Sequence, residues 1–126
     1  MNEQKRHAKG MKARQQVLGK VHVERANSAV NSFTAPFQDL ITRYAWGEIW
    51  SRPGLPRKTR SLITIATLVA LNRPEELRLH LRASANAGVT QKEIQEVLLQ
   101  TAIYCGIPAA NSAFQIADEI FTKAKR

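Results

Sequence analysis

Pro74-Glu-Glu-Leu-Arg-Leu-His-Leu-Arg-Ala-Ser-Ala-Asn-Ala-Gly-Val-Thr-Gln-Lys-Glu93 holds a helix start, an apolar face, a stop and a second start in one run. Proline fits the first helical position, where no N–H is needed. Leu77, Leu81 and Ala85 recur at spacing four, so they mark one buried face of a helix. Gly88 suits a helix end. Thr90 with Glu93 three residues on is a capping box, which satisfies two backbone donors reciprocally. No period-two alternation competes with this pattern. The stretch predicts helix, turn, helix.

Working outward, the same punctuation continues in both directions. The capping box opens a helix with the stripe Ile94, Val97, Leu98, Thr101 and Ala102, which Gly106 terminates, and Pro108 opens the last helix. Upstream, Pro56 opens a helix running to Asn72. It is apolar nearly all round (Leu62, Ile63, Ile65, Ala66, Leu68, Val69, Leu71) and is expected to be central and buried. Arg52-Pro53-Gly54 breaks the chain before it. Thr34 is expected to cap a third helix, with Pro36 in its first turn, and Glu48 belongs to it only if the helix continues through Gly47. A first helix is expected over residues 3–18, stopping near Gly19, and a weaker second one from near His22 to about Ser32. These expectations describe a single-domain, all-α helical bundle of six to seven helices over residues 1–126.

The 126 residues are enough for one hydrophobic core, and 44% hydrophobic against 23% charged is globular composition. The formal charge of +9 is concentrated at the ends. Residues 1–20 carry Lys5, Arg6, Lys9, Lys12, Arg14 and Lys20 against Glu3, and Lys123, Lys125 and Arg126 close the chain. Solvated basic termini explain this better than a nucleic-acid footprint does. The longest uncharged run, Ser61 to Asn72, is far short of a membrane span, and no signal-peptide pattern opens the chain. Cys105 stands alone, so no internal disulfide forms and a reducing, cytoplasmic setting is expected.

Candidate functional residues are polar groups that fall on apolar faces. On the third helix Phe37, Leu40, Ile41 and Tyr44 form a stripe expected to face the core, and Glu48 lands within it. A carboxylate there is costly unless it is paired with an arginine or has a catalytic task; both readings stand. His80 and Ser84 lie at the edge of the buried face of the fifth helix, and Glu76 is spaced i, i+4 from His80, where it can orient the imidazole. Cys105 sits on the sixth-helix stripe, the place of a core residue rather than a nucleophile. Trp46 and Trp50 fall opposite Glu48, as a subunit interface or a second core contact. His7, His22 and His80 are far apart in sequence and give no zinc-like spacing, and no phosphate loop or dinucleotide fingerprint is present. Neither a metal nor a cofactor is indicated.

Arg43-Tyr-Ala-Trp-Gly-Glu-Ile-Trp-Ser-Arg-Pro-Gly-Leu55 and Thr101-Ala-Ile-Tyr-Cys-Gly-Ile-Pro-Ala-Ala-Asn-Ser-Ala-Phe114 resemble the carboxymuconolactone decarboxylase family. Thr59-Arg-Ser-Leu62, Glu75 to Ala83, Gly88-Val-Thr90 and Ile94 to Leu99 extend the likeness. Gly10-Met11, Val17-Leu18-Gly19 and His22-Val23 fit the same pattern. The resemblance implies an alkylhydroperoxidase-like fold and a ring-like homo-oligomer, a hexamer in the family. Relatives of that fold carry Cys-x-x-Cys-x-x-x-His; Arg73 and Glu76 stand at the two cysteine positions here, which excludes dithiol peroxidase chemistry.

The implied reaction converts γ-carboxymuconolactone to β-ketoadipate enol-lactone and CO2, a step in aromatic catabolism, without a cofactor. His80 is then the proton donor, or the hydrogen-bond donor to the lactone oxygen, with Glu76 or Glu48 setting its protonation. Arg52 and Arg60 are the expected carboxylate clamps, His22 a further site residue, and Cys105 either a site residue or core. Alternatives are a related decarboxylase acting on another small organic acid, a basic nucleic-acid-binding module, and a structural oligomer with a vestigial site.

Overall fold

Asn2 starts the first helix by accepting the Lys5 N–H on its side chain at 2.8 Å. The computed structural model describes residues 1–124; Lys125 and Arg126, counted in the charge above, lie outside the described residues. Among the described residues there are seven α-helices and no strand. They group into two compact units, one over Met1–Pro56 and one from Arg57 onward.

In the first unit, α1 (Glu3–Leu18) ends at Gly19 as expected. Its buried face is Gly10, Ala13, Arg14, Val17 and Leu18. Gly19, at φ 93°, ends α1 and also begins α2 (Lys20–Ser28), so α2 starts before His22. It also stops before Ser32, because Asn31 bends the chain: its Oδ1 accepts the N–H groups of Phe33 and Thr34 at 2.9 and 3.1 Å. The expected Thr34 cap is corrected too. Thr34 has helical backbone angles and makes no side-chain cap, and its Oγ1 instead accepts the Asn31 N–H. Pro36 does lie in the first turn of α3 (Ala35–Leu40).

The chain then continues past Gly47, but as a π-helix over Ile41–Ile49, in which i→i−5 bonding replaces i→i−4. The Trp50 N–H reaches the Ala45 carbonyl at 2.9 Å in this register. Its buried residues are Thr42, Trp46 and Gly47, packed against α1. A side chain on Gly10 would overlap the Thr42 carbonyl, and one on Gly47 would come within 2.5 Å of the Arg6 carbonyl oxygen. Two glycines thus let two backbones touch. The expected stripe is not the buried face: Phe37 and Leu40 are exposed on α3, and in the wider turn that follows Tyr44 is exposed too. Trp46 is 5% exposed and stacks on Trp50 with ring centroids 4.9 Å apart, so the pair includes a core contact of this unit.

In the second unit, α4 (Arg57–Ala70) packs against α5 (Pro74–Ala83), α6 (Gln91–Cys105) and α7 (Ile107–Ala124). Its apolar surface is not buried all round: Ile65 and Val69 enter the core, while Ile63 is exposed, as is Leu71 just beyond the helix. The core is completed by Leu77, Leu81, Val89, Ile94, Leu98, Ala113, Ala117 and Ile120. After α5 a 3₁₀ turn, Ser84–Ala87, tightens the chain, burying Ser84 and exposing Ala85. Gly88 then takes the left-handed conformation, φ 82°. The Thr90–Glu93 capping box forms in both directions, and Glu93 also pairs with Lys58 at 2.7 Å. The start of α4 is thereby tied to the start of α6.

Candidate active site

His80 lies in the last turn of α5, half-buried between the core residues Leu77 and Leu81. The helix is held there by those two leucines, so the imidazole sits at the edge of a fixed apolar face. Glu76 is one turn upstream and exposed. Arg60 is half-buried early in α4, its Nε shut away from solvent. Cys105 ends α6 and is half-buried rather than fully packed in the core. It lines a groove of about 330 Å³ with Ala66, Thr67, Ala70, Gln100, Thr101 and Tyr104. These four candidates belong to the second unit.

Glu48, Arg52 and His22 belong to the first. Glu48 lies in the last turn of the π-helical segment, half-exposed, with Arg6 on one carboxylate oxygen at 2.5 Å and Arg52 on the other at 3.2 Å. The hydrogen bond from Arg6, aided by Arg52, holds the Glu48 carboxyl below the usual carboxylate range. An ionised carboxylate with two guanidinium partners is a poor proton donor. Arg6 also lies 5.2 Å over the Tyr44 ring and pairs with Glu3, whose other partners are Arg43 and Tyr44. Glu48 therefore joins an ion-pair network rather than facing a core.

His22 sits in the first turn of α2, half-buried. Desolvation, then the charges of Arg14 and Arg25, push its imidazole below its ordinary value. Arg14 was not among the sequence candidates. It is 7% exposed on α1, with Nη1 donating to Gln38 Oε1 at 3.3 Å. The signal was available in the sequence: Gly10, Ala13, Arg14, Val17 and Leu18 share one helical face, so an arginine interrupts an apolar stripe. Arg6, the stronger partner of Glu48, escaped because it is distant in sequence and only the packing of α1 brings it near.

Among the described residues no helix is long and apolar enough to cross a membrane. The sequence profile of the carboxymuconolactone decarboxylase family matches residues 35–119. A 4-carboxymuconolactone decarboxylase of Acinetobacter baylyi is 52% identical over 121 residues, covering 96% of this chain and 90% of that protein. A nitrosuccinic acid decarboxylase of Metarhizium robertsii is 44% identical over 110 residues, 87% of this chain and 77% of that protein. A 4-carboxymuconolactone decarboxylase sequence of Pseudomonas putida matches along its whole length at 44% identity, covering 38% of this chain.

Proposed function

Because the chain belongs to the carboxymuconolactone decarboxylase family, we propose that it decarboxylates γ-carboxymuconolactone to β-ketoadipate enol-lactone in aromatic catabolism. The supporting observation is the 52% identity to a protein of that name across 96% of this chain.

The chemistry asks little of a catalyst beyond placed charges and a proton. The departing carboxylate is on the γ-carbon of an α,β-unsaturated lactone. As its C–C bond breaks, the electron pair moves through the ring alkene to the carbonyl oxygen and forms a furan-like dienolate. A proton delivered to the α-carbon then completes the enol-lactone, and the donor recovers its proton from solvent. The substrate is its own electron sink. The protein supplies hydrogen bonds to the developing oxyanion, a poorly solvated place for the leaving carboxylate and the proton.

His80 is the proton donor, and Glu76, one helical turn away, orients its imidazole. Arg52 and Arg60 clamp the spectator carboxylate of the substrate, the geometry a guanidinium fork favours. Glu48, already shared by Arg6 and Arg52, serves charge balance. Replacing Arg52 or Arg60 by alanine is expected to raise KM more than it lowers kcat, and an unchanged KM in both variants removes the clamp assignment. The protein acts in the cytoplasm, the setting a single cysteine suits, and as a homo-oligomer, which exposed apolar side chains in both units support.

The relative named for nitrosuccinic acid supports a second reading, in which the same scaffold decarboxylates another small dicarboxylic acid. Purified protein should be given γ-carboxymuconolactone or nitrosuccinate without added metal or cofactor, with CO2 release followed. Turnover of the lactone is expected; turnover of nitrosuccinate alone would replace the first reading with the second.

A further inference from the structure

Arg14 is the one charged side chain that is buried among the described residues. Its Nη1 donates to the neutral Gln38 side chain, and its Nε is enclosed without a hydrogen bond. No described carboxylate lies within ion-pair distance of it. Asp39, beside Gln38, faces His7 at 3.7 Å, and Glu24, the acidic residue of α2, is exposed. Withdrawing a guanidinium from water is expensive unless an anion compensates it, and a neutral amide does so only in part. The first unit therefore carries a buried cation whose counter-ion it does not supply.

The neighbourhood has the same sign. His22 is near enough for the Arg14 charge to disfavour its protonation, and Arg25 acts in the same direction. The first turn of α2, where His22 lies, has no acidic residue and no side-chain cap. His22 thus stands among the N–H groups of that helix start.

We propose that Arg14 and Gln38, with His22 nearby, form a carboxylate-binding site in the first unit, which adds to the hold on the spectator carboxylate of the small organic acid the protein decarboxylates. The identity of that acid rests on the reading above. The guanidinium offers Nε and a second nitrogen as a fork for two oxygens. Gln38 holds the fork from one side and, with Oε1 committed to Arg14, keeps its amide nitrogen as a donor. His22, kept neutral, adds a ring N–H without adding charge. One buried positive charge matches one carboxylate better than a phosphate dianion. Arg14 and His22 then bind and position, while the bond-breaking chemistry lies with other groups.

Gln38→Glu provides a test that does not require removing the buried arginine. It places a carboxylate at 3.3 Å from Arg14, where an internal ion pair competes with any external one. Thermal unfolding should be measured for the wild type, Gln38→Glu and Arg14→Met with succinate, an unreactive dicarboxylate, and with inorganic phosphate at matched ionic strength. Succinate is expected to raise the wild-type unfolding temperature and phosphate to leave it unchanged. Gln38→Glu is expected to unfold at a higher temperature without ligand and to lose the succinate shift. Both variants should raise KM for the lactone by about tenfold or more, the scale of a lost charge-assisted contact, with a smaller change in kcat. Arg14→Met that fails to fold leaves the decision to Gln38→Glu.

The proposal is overturned if succinate does not protect the wild type, if phosphate protects equally, or if Gln38→Glu keeps both its succinate shift and its KM. Protection by succinate in a protein that does not turn over the lactone would instead sink the substrate reading and leave the site standing.

Discussion

Two carboxylate–cation arrangements that look alike in sequence separate at the level of single residues. Glu48 is bound by Arg6 and Arg52 and is held ionised, whereas Glu76 stands one turn from a half-buried histidine on a helix fixed by Leu77 and Leu81. His80→Ala should lower kcat by about 10²-fold or more while the unfolding temperature changes little, the usual scale for a lost general acid. Near-wild-type turnover in that variant would end the assignment. His22 makes a separate prediction about stability. Unfolded, it takes up a proton near its ordinary value of 6.5; folded, desolvation and Arg14 delay that uptake to lower pH. Within this window the unfolded chain binds more protons, so stability falls as pH drops below 6.5 and is unaffected well above it. A scan of unfolding temperature from pH 8 to pH 5 should show a shallower acid decline in His22→Gln than in the wild type. Identical slopes would mean that His22 titrates alike in both states.

At the scale of elements, the π-helical segment Ile41–Ile49 decides what the third helix presents. Whether the helix runs on through Gly47 was left open by its periodicity, and its register was not legible. The expected stripe assumed i→i−4 spacing, and the wider turn buries Thr42, Trp46 and Gly47 instead. That register is available because α1 lies against it backbone to backbone at Gly10 and Gly47. Alanine is a better helix former than glycine, so Gly10→Ala would stabilise an isolated helix by up to about 1 kcal/mol. Here the added methyl meets the Thr42 carbonyl, and a net loss of about 1–3 kcal/mol is expected from denaturant unfolding. Gly54→Ala is the control: nothing lies within 4 Å of the added carbon, and a change within about 0.5 kcal/mol is expected. Equal effects in the two variants would contradict the close approach.

At the scale of the whole molecule, both units leave large apolar side chains bare: Phe33 at 91% and Phe37 in the first, Tyr104 at 83%, Ile103 and Ile107 in the second. Single exposed apolar residues are ordinary, but Ile103, Tyr104 and Ile107 lie bare around one helix junction, as a self-associating surface would. Light scattering should give a mass several times that of the 14.1 kDa chain, reduced in Tyr104→Glu; a monomeric wild type would remove the oligomer reading. The helix starts and stops were readable because proline, glycine and capping residues act through their own backbone. Thus α1, the capping box of α6 and the break at Arg52-Pro53-Gly54 lie where local chemistry placed them. Glu48 and His80 were also conspicuous as polar groups within or beside apolar patterns. What those groups meet was not readable, because burial and charge partners depend on chain segments distant in sequence. Arg6 reaches Glu48 across 42 residues and Gln38 reaches Arg14 across 24. By itself the sequence determined the helical punctuation, the likeness to the decarboxylase family and the prominence of His80. Tertiary packing alone decided that Glu48 is ion-paired and that Arg14 is not, since only folding brings one a counter-ion and withholds it from the other.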